Sequence, residues 1–101
     1  MTTDKTGAPT TVTAEADRFT IGVEGQTVGF AAFTDRDGQR VFTHTEVDGE
    51  FEGRGLATIL VGEALEQTRS AGKRIVPVCA LVANYVKKHD EYADIVDPAE
   101  G

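Results

Sequence analysis

The sequence predicts a mixed α+β fold, in which two helices pack on a sheet that is antiparallel at first and parallel later. Segments that alternate apolar and polar residues fill the chain from residue 11 to residue 47, and tight turns separate them. The pattern changes to a helical period at Leu56. One more apolar segment and a second helical segment follow, which gives the order β-β-β-α-β-α.

The three predicted strands of the first half form a meander. Residues 18–23 alternate strictly, and residues 27–34 and 40–47 are the second and third strands. The turns at residues 24–26 and 35–38 each contain a glycine, which accepts positive φ without a steric penalty. Because both connections are short, neighbouring strands are expected to pair in antiparallel fashion.

A helical period follows a glycine-rich loop. Leu56, Leu60 and Ala64 recur every four residues and form one apolar stripe. Gly72 is suited to the C-terminal cap of this helix. A second, shorter helix is predicted at residues 80–89.

Between the two helices, residues 73–79 are predicted to form a buried strand. Since a helix connects the third strand to this fourth one, the two strands are expected to lie parallel. Pro77 cannot donate a hydrogen bond to a neighbouring strand. The sequence therefore predicts that the fourth strand splays from its neighbour at this proline.

Length and composition predict a single domain. A chain of 101 residues suits one domain. Residues 1–11 are small and polar, which predicts a disordered tail, and residues 12–97 are assigned to the domain. One cysteine and two distant histidines predict neither an internal disulfide nor a metal site.

The charge balance and hydropathy limit the partners. A formal net charge of −7 argues against nonspecific binding to nucleic acid and suits cationic partners such as amines. No apolar stretch approaches the roughly 20 residues of a membrane helix. The N-terminus lacks the apolar core of a secretory signal, so the sequence predicts a cytoplasmic protein without a membrane partner.

The segment from Glu52 to Thr58 carries the strongest functional signal. It connects a strand to the start of a helix, where unpaired amides and the helix dipole attract anions. Its glycines let a phosphate approach the backbone. It lacks the Gly-Lys-Ser/Thr ending of a Walker A loop. The alternative interpretation is a glycine-rich loop that only turns the chain.

Four separated segments resemble the minimal, single-domain members of the GNAT superfamily of N-acetyltransferases. Motif A of that superfamily reads Gln/Arg-x-x-Gly-x-Gly/Ala, and this chain matches it at Gly55 and Ala57 but has Glu52 at the first position. The segments are His44-Thr45-Glu46-Val47, Gly53-Arg54-Gly55, Pro77-Val78-Cys79 and His89-Asp90-Glu91-Tyr92. The resemblance implies the minimal GNAT-like fold.

The resemblance also implies transfer of an acetyl group from acetyl-CoA to a primary amine, without a metal. Backbone groups of the glycine loop and helix start would hold the pyrophosphate, and the third strand would pair with the pantetheine arm. The implied cofactor-binding residues are Gly53, Arg54, Gly55, Leu56, Ala57 and Thr58 in the loop and Thr45, Glu46 and Val47 in the strand. Charge and expected proximity add Lys87 and Lys88 of the second helix, with Arg54, as partners of the 3′-phosphate.

Three side chains are candidates for catalysis. Cys79 lies at the start of the second helix, where a thiol becomes more reactive; it accepts the acetyl group, shapes the site, or is a packed apolar residue. His44 is placed on one face of the third strand with Phe42 and Glu46 and suits a general base, or is a structural histidine. Tyr85 resembles the proton-donating tyrosine of many GNAT enzymes, although core packing explains it equally.

Two other functions stay open. The same fold can bind CoA or an acyl-CoA without turnover, or serve as an interaction domain without a cofactor. The acceptor is a protein lysine, a polyamine, a small amine or a free amino acid, and the small size favours an open groove that suits a protein or peptide. The sequence does not predict the oligomeric state.

Overall fold

Across residues 2–3, 7–51 and 55–98, which are the residues that it describes, the computed structural model contains one sheet of six strands in chain order. The strands are β1 (Thr2–Thr3), β2 (Pro9–Ala14), β3 (Arg18–Val23), β4 (Gln26–Arg36), β5 (Gln39–Val47) and β6 (Arg74–Pro77). The helices are α1 (Leu56–Ser70) and α2 (Ala80–Lys88), and short 3-10 helices span Gly49–Phe51 and Asp90–Ile95. Neighbouring strands pair in antiparallel fashion up to β5, and β5 pairs with β6 in parallel. The predicted mixed sheet is thus confirmed.

Two hairpins with two-residue turns build the centre of the sheet. Glu24 and Gly25 connect β3 to β4 with φ angles of 51° and 88°. Asp37 and Gly38 connect β4 to β5 with φ angles of 50° and 78°. Positive φ at both positions matches the right-handed twist of the strands, which is why a glycine closes each turn.

The sheet begins earlier in the chain than the sequence predicts. Residues 9–11, assigned to a disordered tail, belong to β2, and Thr10 is buried opposite Val23. Thr2 and Thr3 pair with β2 in turn. Residues 1 and 4–6 of the predicted tail lie outside the described residues. The prediction of disorder is wrong for β2 because antiparallel pairing with β3 compensates for its weak apolar pattern.

Helix α1 lies across one face of the sheet and forms the core with it. Its apolar stripe is fully covered, with Leu60, Ala64 and Leu65 each 0% exposed. On the sheet side the stripe meets the inward residues of β3 and β5, among them Phe19 and Phe42. At the far end of the helix Gly72, with φ of 74°, fills the predicted C-terminal position. No helix of the described residues is long and apolar enough to span a bilayer.

The parallel pair is short and stops at a proline. Pairing of β5 with β6 runs from Gln39 opposite Arg74 to Phe42 opposite Pro77. One more contact follows, in which the N–H of Cys79 donates to the carbonyl of Phe42 at 2.8 Å. Beyond it the chain enters α2, so the strands separate at the proline as the sequence predicts.

Candidate active site

Strand β5 is paired on both sides at its start and on one side at its end. Residues 39–42 lie between β4 and β6, whereas residues 44–47 pair with β4 alone. We call residues 43–47, on the side of β5 that faces away from β4, the open edge. Within the described part of the chain no strand covers it. Backbone N–H and C=O groups on such an edge can bind an extended ligand as a further strand would.

A β-bulge at Thr43 changes which side chains of β5 face the core. Ala32 pairs with His44 and Phe33 pairs with Phe42, so Thr43 is the extra residue. Phe42 is buried, whereas His44 is exposed. The interpretation that placed these two side chains on one face is wrong, because strict alternation does not continue through a bulge.

The structure brings Cys79 and Thr45 together. The thiol of Cys79 lies 3.3 Å from the hydroxyl of Thr45, in hydrogen-bonding contact. Both residues are buried, at 8% and 7% exposure. Cys79 is the N-cap residue of α2, and its side chain makes no cap hydrogen bond with that helix. The contact therefore joins the start of α2 to the open edge.

Two other predicted site residues lie on the opposite face of the sheet. The Nε2 atom of His44 is 3.2 Å from a carboxylate oxygen of Glu46, and both side chains are more than half exposed. A recess of about 370 Å³ lies beside them and is lined in part by Glu46 and Phe30. Because Thr45 points to the helix-covered face, His44 and Cys79 are on different sides of β5.

The N-terminus of α1 has the features of an anion site. Gly55 is its N-cap residue with a φ of 79°, and no side chain of the described residues caps the helix there. The first hydrogen bond within the helix runs from the N–H of Ile59 to the carbonyl of Gly55. The N–H groups of Leu56, Ala57 and Thr58 precede it and have no partner in the helix itself. Glu52, Gly53 and Arg54 of the predicted loop lie outside the described residues.

A cleft of about 340 Å³ separates the first half of α1 from α2. Ala57, Thr58 and Val61 line it from α1, and Leu81, Asn84, Tyr85, Lys88 and His89 line it from the second helix and its end. Of the predicted cofactor-binding residues, this cleft brings together Ala57, Thr58 and Lys88. The side chain of Leu56 is buried in the core, so that residue can offer its amide alone. Lys87 is exposed and does not line the cleft.

The two tyrosines of the chain differ in what their hydroxyls do. The Tyr92 hydroxyl donates to a carboxylate oxygen of Glu66 at 2.8 Å. The Tyr85 hydroxyl makes no hydrogen bond to another described residue, and Tyr85 lines the cleft. Burial, followed by the charges of Glu91 and Glu66, raises the pKa of Tyr85 above its ordinary value. The phenol of Tyr85 therefore stays protonated at neutral pH.

Two residues of this region are missing from the sequence-based site. Asn84 lines the cleft, and Gly62 lies in α1 against Tyr85. His89, which begins one of the four resembling segments, lines the cleft as well. The spacing of Asn84 after Leu81 and before Lys88 is a helical face, a signal that the sequence contained. No local pattern in the sequence indicates Gly62, because the side chain that it contacts, Tyr85, belongs to a different helix.

The arrangement suits a phosphorylated ligand with an extended arm. Unpaired amides and the helix dipole at Gly55 can bind a phosphate or diphosphate. The open edge can pair with an extended amide-containing chain, and the Cys79–Thr45 contact links this edge to the helix that walls the cleft. Lys88 adds a cation at the cleft. Among the described residues, no group of three or more His, Cys, Asp or Glu side chains is arranged to hold a metal.

Comparison with solved structures supports this fold. A GCN5-like protein from Staphylococcus aureus, with a proposed N-acetyltransferase activity and a structure determined by NMR in solution, superposes with a TM-score of 0.67. The two chains share 23% identity, and the match covers 89% of this chain and 90% of the other. At this identity the likeness concerns the fold. No curated protein matches the sequence closely enough to count as a relative.

The family comparison concerns the sequence itself. The model of the family described as GCN5-related N-acetyl-transferase matches residues 18–95. That match begins at β3 and ends with the second 3-10 helix, so it includes the open edge, the start of α1 and the cleft. The chain belongs to the GCN5-related N-acetyltransferase family of enzymes.

Proposed function

We propose that this protein transfers an acetyl group from acetyl-CoA to a primary amine. The observation that carries the proposal is the junction at the end of β5, where pairing with β6 stops and leaves residues 43–47 open. The N-terminus of α1, which no described side chain caps, and the cleft beside α2 lie on the helix-covered side of this junction. Family membership supports the same reaction class.

In this proposal the backbone supplies most of the cofactor site. The amides of Gly55, Leu56, Ala57 and Thr58 bind the pyrophosphate. Gly53 and Arg54 stay cofactor-binding residues by prediction from the sequence. The open edge, through Thr45, Glu46 and Val47, pairs with the pantetheine arm. Lys88 lines the cleft and is the better placed of the two helix lysines to meet a phosphate, because Lys87 does not line it.

When bound, acetyl-CoA supplies an activated acetyl group as a thioester. Tyr85 is the candidate proton donor to the departing sulfur, because its hydroxyl is protonated and has no partner among the described residues. Backbone N–H groups near Val47 are candidates for stabilising negative charge on the thioester oxygen.

Cys79 and His44 receive different roles in the proposal. Cys79 shapes the site, because its thiol is buried and engaged with Thr45. His44, held by Glu46, is a candidate base for an acceptor that reaches β5 from the helix-free face. Both roles keep the candidates of the sequence analysis and assign them to opposite sides of the strand.

The acceptor and the location of the protein belong to the proposal as well. The net charge of −7 favours a cationic amine, and the open cleft favours an amine carried by a peptide or protein, such as a lysine side chain. A cytoplasmic location remains a prediction from the sequence. The alternative function is a module of the same fold that binds CoA or acyl-CoA without turnover.

A thermal-shift experiment with CoA, followed by an acetyl-transfer assay, tests this proposal. CoA at a hundred times its Kd should stabilise the protein by about 2.7 kcal/mol. Transfer of the labelled acetyl group from acetyl-CoA to any amine of a panel distinguishes an enzyme from a module that only binds CoA. Absence of any shift would contradict both functions, and a shift without transfer to any amine would favour the module.

Two glycines at opposite ends of α1 provide a matched pair of variants. Gly55 and Gly72 have φ angles of 79° and 74°, so alanine is strained to a similar degree at either position. Gly55→Ala should weaken CoA binding at least about tenfold, because a Cβ intrudes where backbone approaches the ligand. Gly72→Ala should destabilise the protein and leave the CoA-dependent shift in place. Equal CoA shifts in both variants would place the cofactor elsewhere.

A further inference from the structure

A glycine lies in the middle of α1, where the helix gains nothing from it. Gly62 is the seventh residue of a helix that spans Leu56–Ser70. A glycine in a helix interior costs about 1 kcal/mol relative to alanine. The position is neither a turn nor a kink that needs positive φ, since Gly62 is absent from the residues with positive φ. A contact outside the helix must account for it.

That contact is the hydroxyl of Tyr85 in α2. A Cβ at Gly62 would lie 2.7 Å from the Tyr85 hydroxyl oxygen and 3.4 Å from Cζ of the same ring. The missing Cβ therefore leaves a space on α1, which we call the Gly62 notch, and the phenol of Tyr85 fills it. Any side chain at this position would force the hydroxyl to move.

The ring of Tyr85 is held from a second direction. The imidazole of His89 stacks on it with centroids 3.9 Å apart and an interplanar angle of 16°. Tyr92 packs at 6.3 Å in a tilted arrangement. The hydroxyl is thus fixed at the wall of the cleft by the notch at its tip and by a stacked ring on its face.

We propose that Gly62 is a positioning residue, which holds the Tyr85 hydroxyl where it can deliver a proton into the cleft. The proposal rests on the proposed function, in which Tyr85 is the proton donor. Gly62 does not touch the uncapped amides at the start of α1, so its role concerns the chemical step and is separate from cofactor binding. A misplacement of the donor by about 1 Å is enough to slow such a step by about a hundredfold.

The kinetic test compares three variants. Gly62→Ala should lower kcat for acetyl transfer at least about tenfold while the KM for acetyl-CoA stays within about twofold. Tyr85→Phe should lower kcat by a similar or larger factor. The double variant should be no slower than Tyr85→Phe alone, because the notch has no function without the hydroxyl. An unchanged kcat in Gly62→Ala, or penalties that multiply in the double variant, would overturn the proposal.

A spectroscopic test needs no activity. The chain has two tyrosines, so labelling with tyrosine carrying ¹³C at Cζ gives two resonances, which Tyr92→Phe assigns. Gly62→Ala should shift the Tyr85 resonance by more than that of Tyr92, whose ring packs 6.3 Å away. Glu63→Ala, at the neighbouring exposed position of α1, is the control and should move neither. An unmoved Tyr85 resonance in Gly62→Ala would overturn the proposal.

Measurements of stability provide a last test. They separate the packing of Tyr85 in the Gly62 notch from the positioning role of Gly62 in acetyl transfer. If Gly62→Ala folds poorly, Tyr85→Phe in the same chain should raise its melting temperature, because the 2.7 Å conflict is with the hydroxyl oxygen. No such rescue would overturn the notch. If the Tyr85 resonance moves as expected but Tyr85→Phe retains full activity, the notch stands as packing and the positioning role is overturned. If CoA does not bind at all, the proposed function fails while the resonance test still decides the notch.

Discussion

The thiol of Cys79 lies 3.3 Å from the hydroxyl of Thr45, and this contact joins residues that are 34 positions apart in the chain. It fixes the start of α2 against the open edge of β5 at the point where the two parallel strands separate. The same residue makes a second contact with β5, in which the N–H of Cys79 donates to the carbonyl of Phe42 at 2.8 Å. Together they set the width of the gap in which an extended ligand arm would lie.

Thr45→Val should destabilise the fold by about 1 kcal/mol, because it keeps the volume but leaves the buried thiol without its acceptor. Chemical denaturation monitored by circular dichroism measures the loss. Thr45→Ser, which retains the hydroxyl, is the control for the contact itself. The effects of Thr45→Val and Cys79→Ala should be non-additive by at least about 0.5 kcal/mol. Full additivity would show that the contact contributes nothing to stability.

Cys79→Ala should leave acetyl transfer within about tenfold of the wild type, because the thiol is engaged and does not line the cleft. The measurement is kcat at saturating acetyl-CoA. A folded Cys79→Ala protein that has lost activity completely would instead assign Cys79 as a covalent acetyl carrier, the other role that the sequence allows.

The two tyrosines should respond in opposite ways to loss of their hydroxyls. Tyr85→Phe should lower kcat about a hundredfold and leave the melting temperature almost unchanged, since its hydroxyl has no partner among the described residues. Tyr92→Phe should lose about 1 kcal/mol of stability with the Glu66 hydrogen bond and retain most activity. The pair is compared by kinetics and denaturation at one pH. The reverse pattern would make Tyr92 the functional tyrosine.

Tyr92 also predicts a loss of stability in alkali. Burial, followed by the hydrogen bond to Glu66, raises the pKa of Tyr92 far above its ordinary value. A group whose pKa is raised by folding stabilises the protein fully below its unfolded pKa of about 10, and this stability is lost as the pH rises above that value. The melting temperature measured from pH 8 to pH 12 should therefore fall above about pH 10. The melting temperature of Tyr92→Phe should fall less steeply with pH than that of the wild type. Equal slopes in the two proteins would assign the loss of stability to other groups.

Local patterns in the sequence were sufficient to predict much of the fold. The turn of Asp37 and Gly38 needs positive φ angles, which the glycine in the sequence indicates. The apolar stripe from Leu56 to Ala64 predicts both the helix and its buried face. Strand β2 was not predicted because Val12 is its one large apolar side chain, so the segment shows no alternation of apolar and polar residues. It forms because it pairs with β3, and no pattern within six residues encodes such a partner.

The candidate site was predictable to the extent that it consists of local backbone. The glycine at the start of α1 and the proline at the end of β6 both act through φ angles or missing donors, which the residue type reveals. The bulge at Thr43, the contact of Cys79 with Thr45 and the notch at Gly62 depend on tertiary neighbours. For this reason His44 does not lie on the face of β5 that Phe42 occupies, because the extra residue Thr43 reverses the alternation of side chains between the two faces.

The most direct test of the cofactor site is a titration of the ¹⁵N-labelled protein with CoA, followed through its backbone amide resonances. The proposed cofactor site predicts that the largest changes cluster at residues 44–47 of the open edge and at residues 55–58 of α1. Amides of the distant hairpin turn at Asp37 and Gly38 should stay in place. Saturable binding with changes confined to other surfaces would contradict the proposed cofactor site, and so would the absence of any change at millimolar CoA.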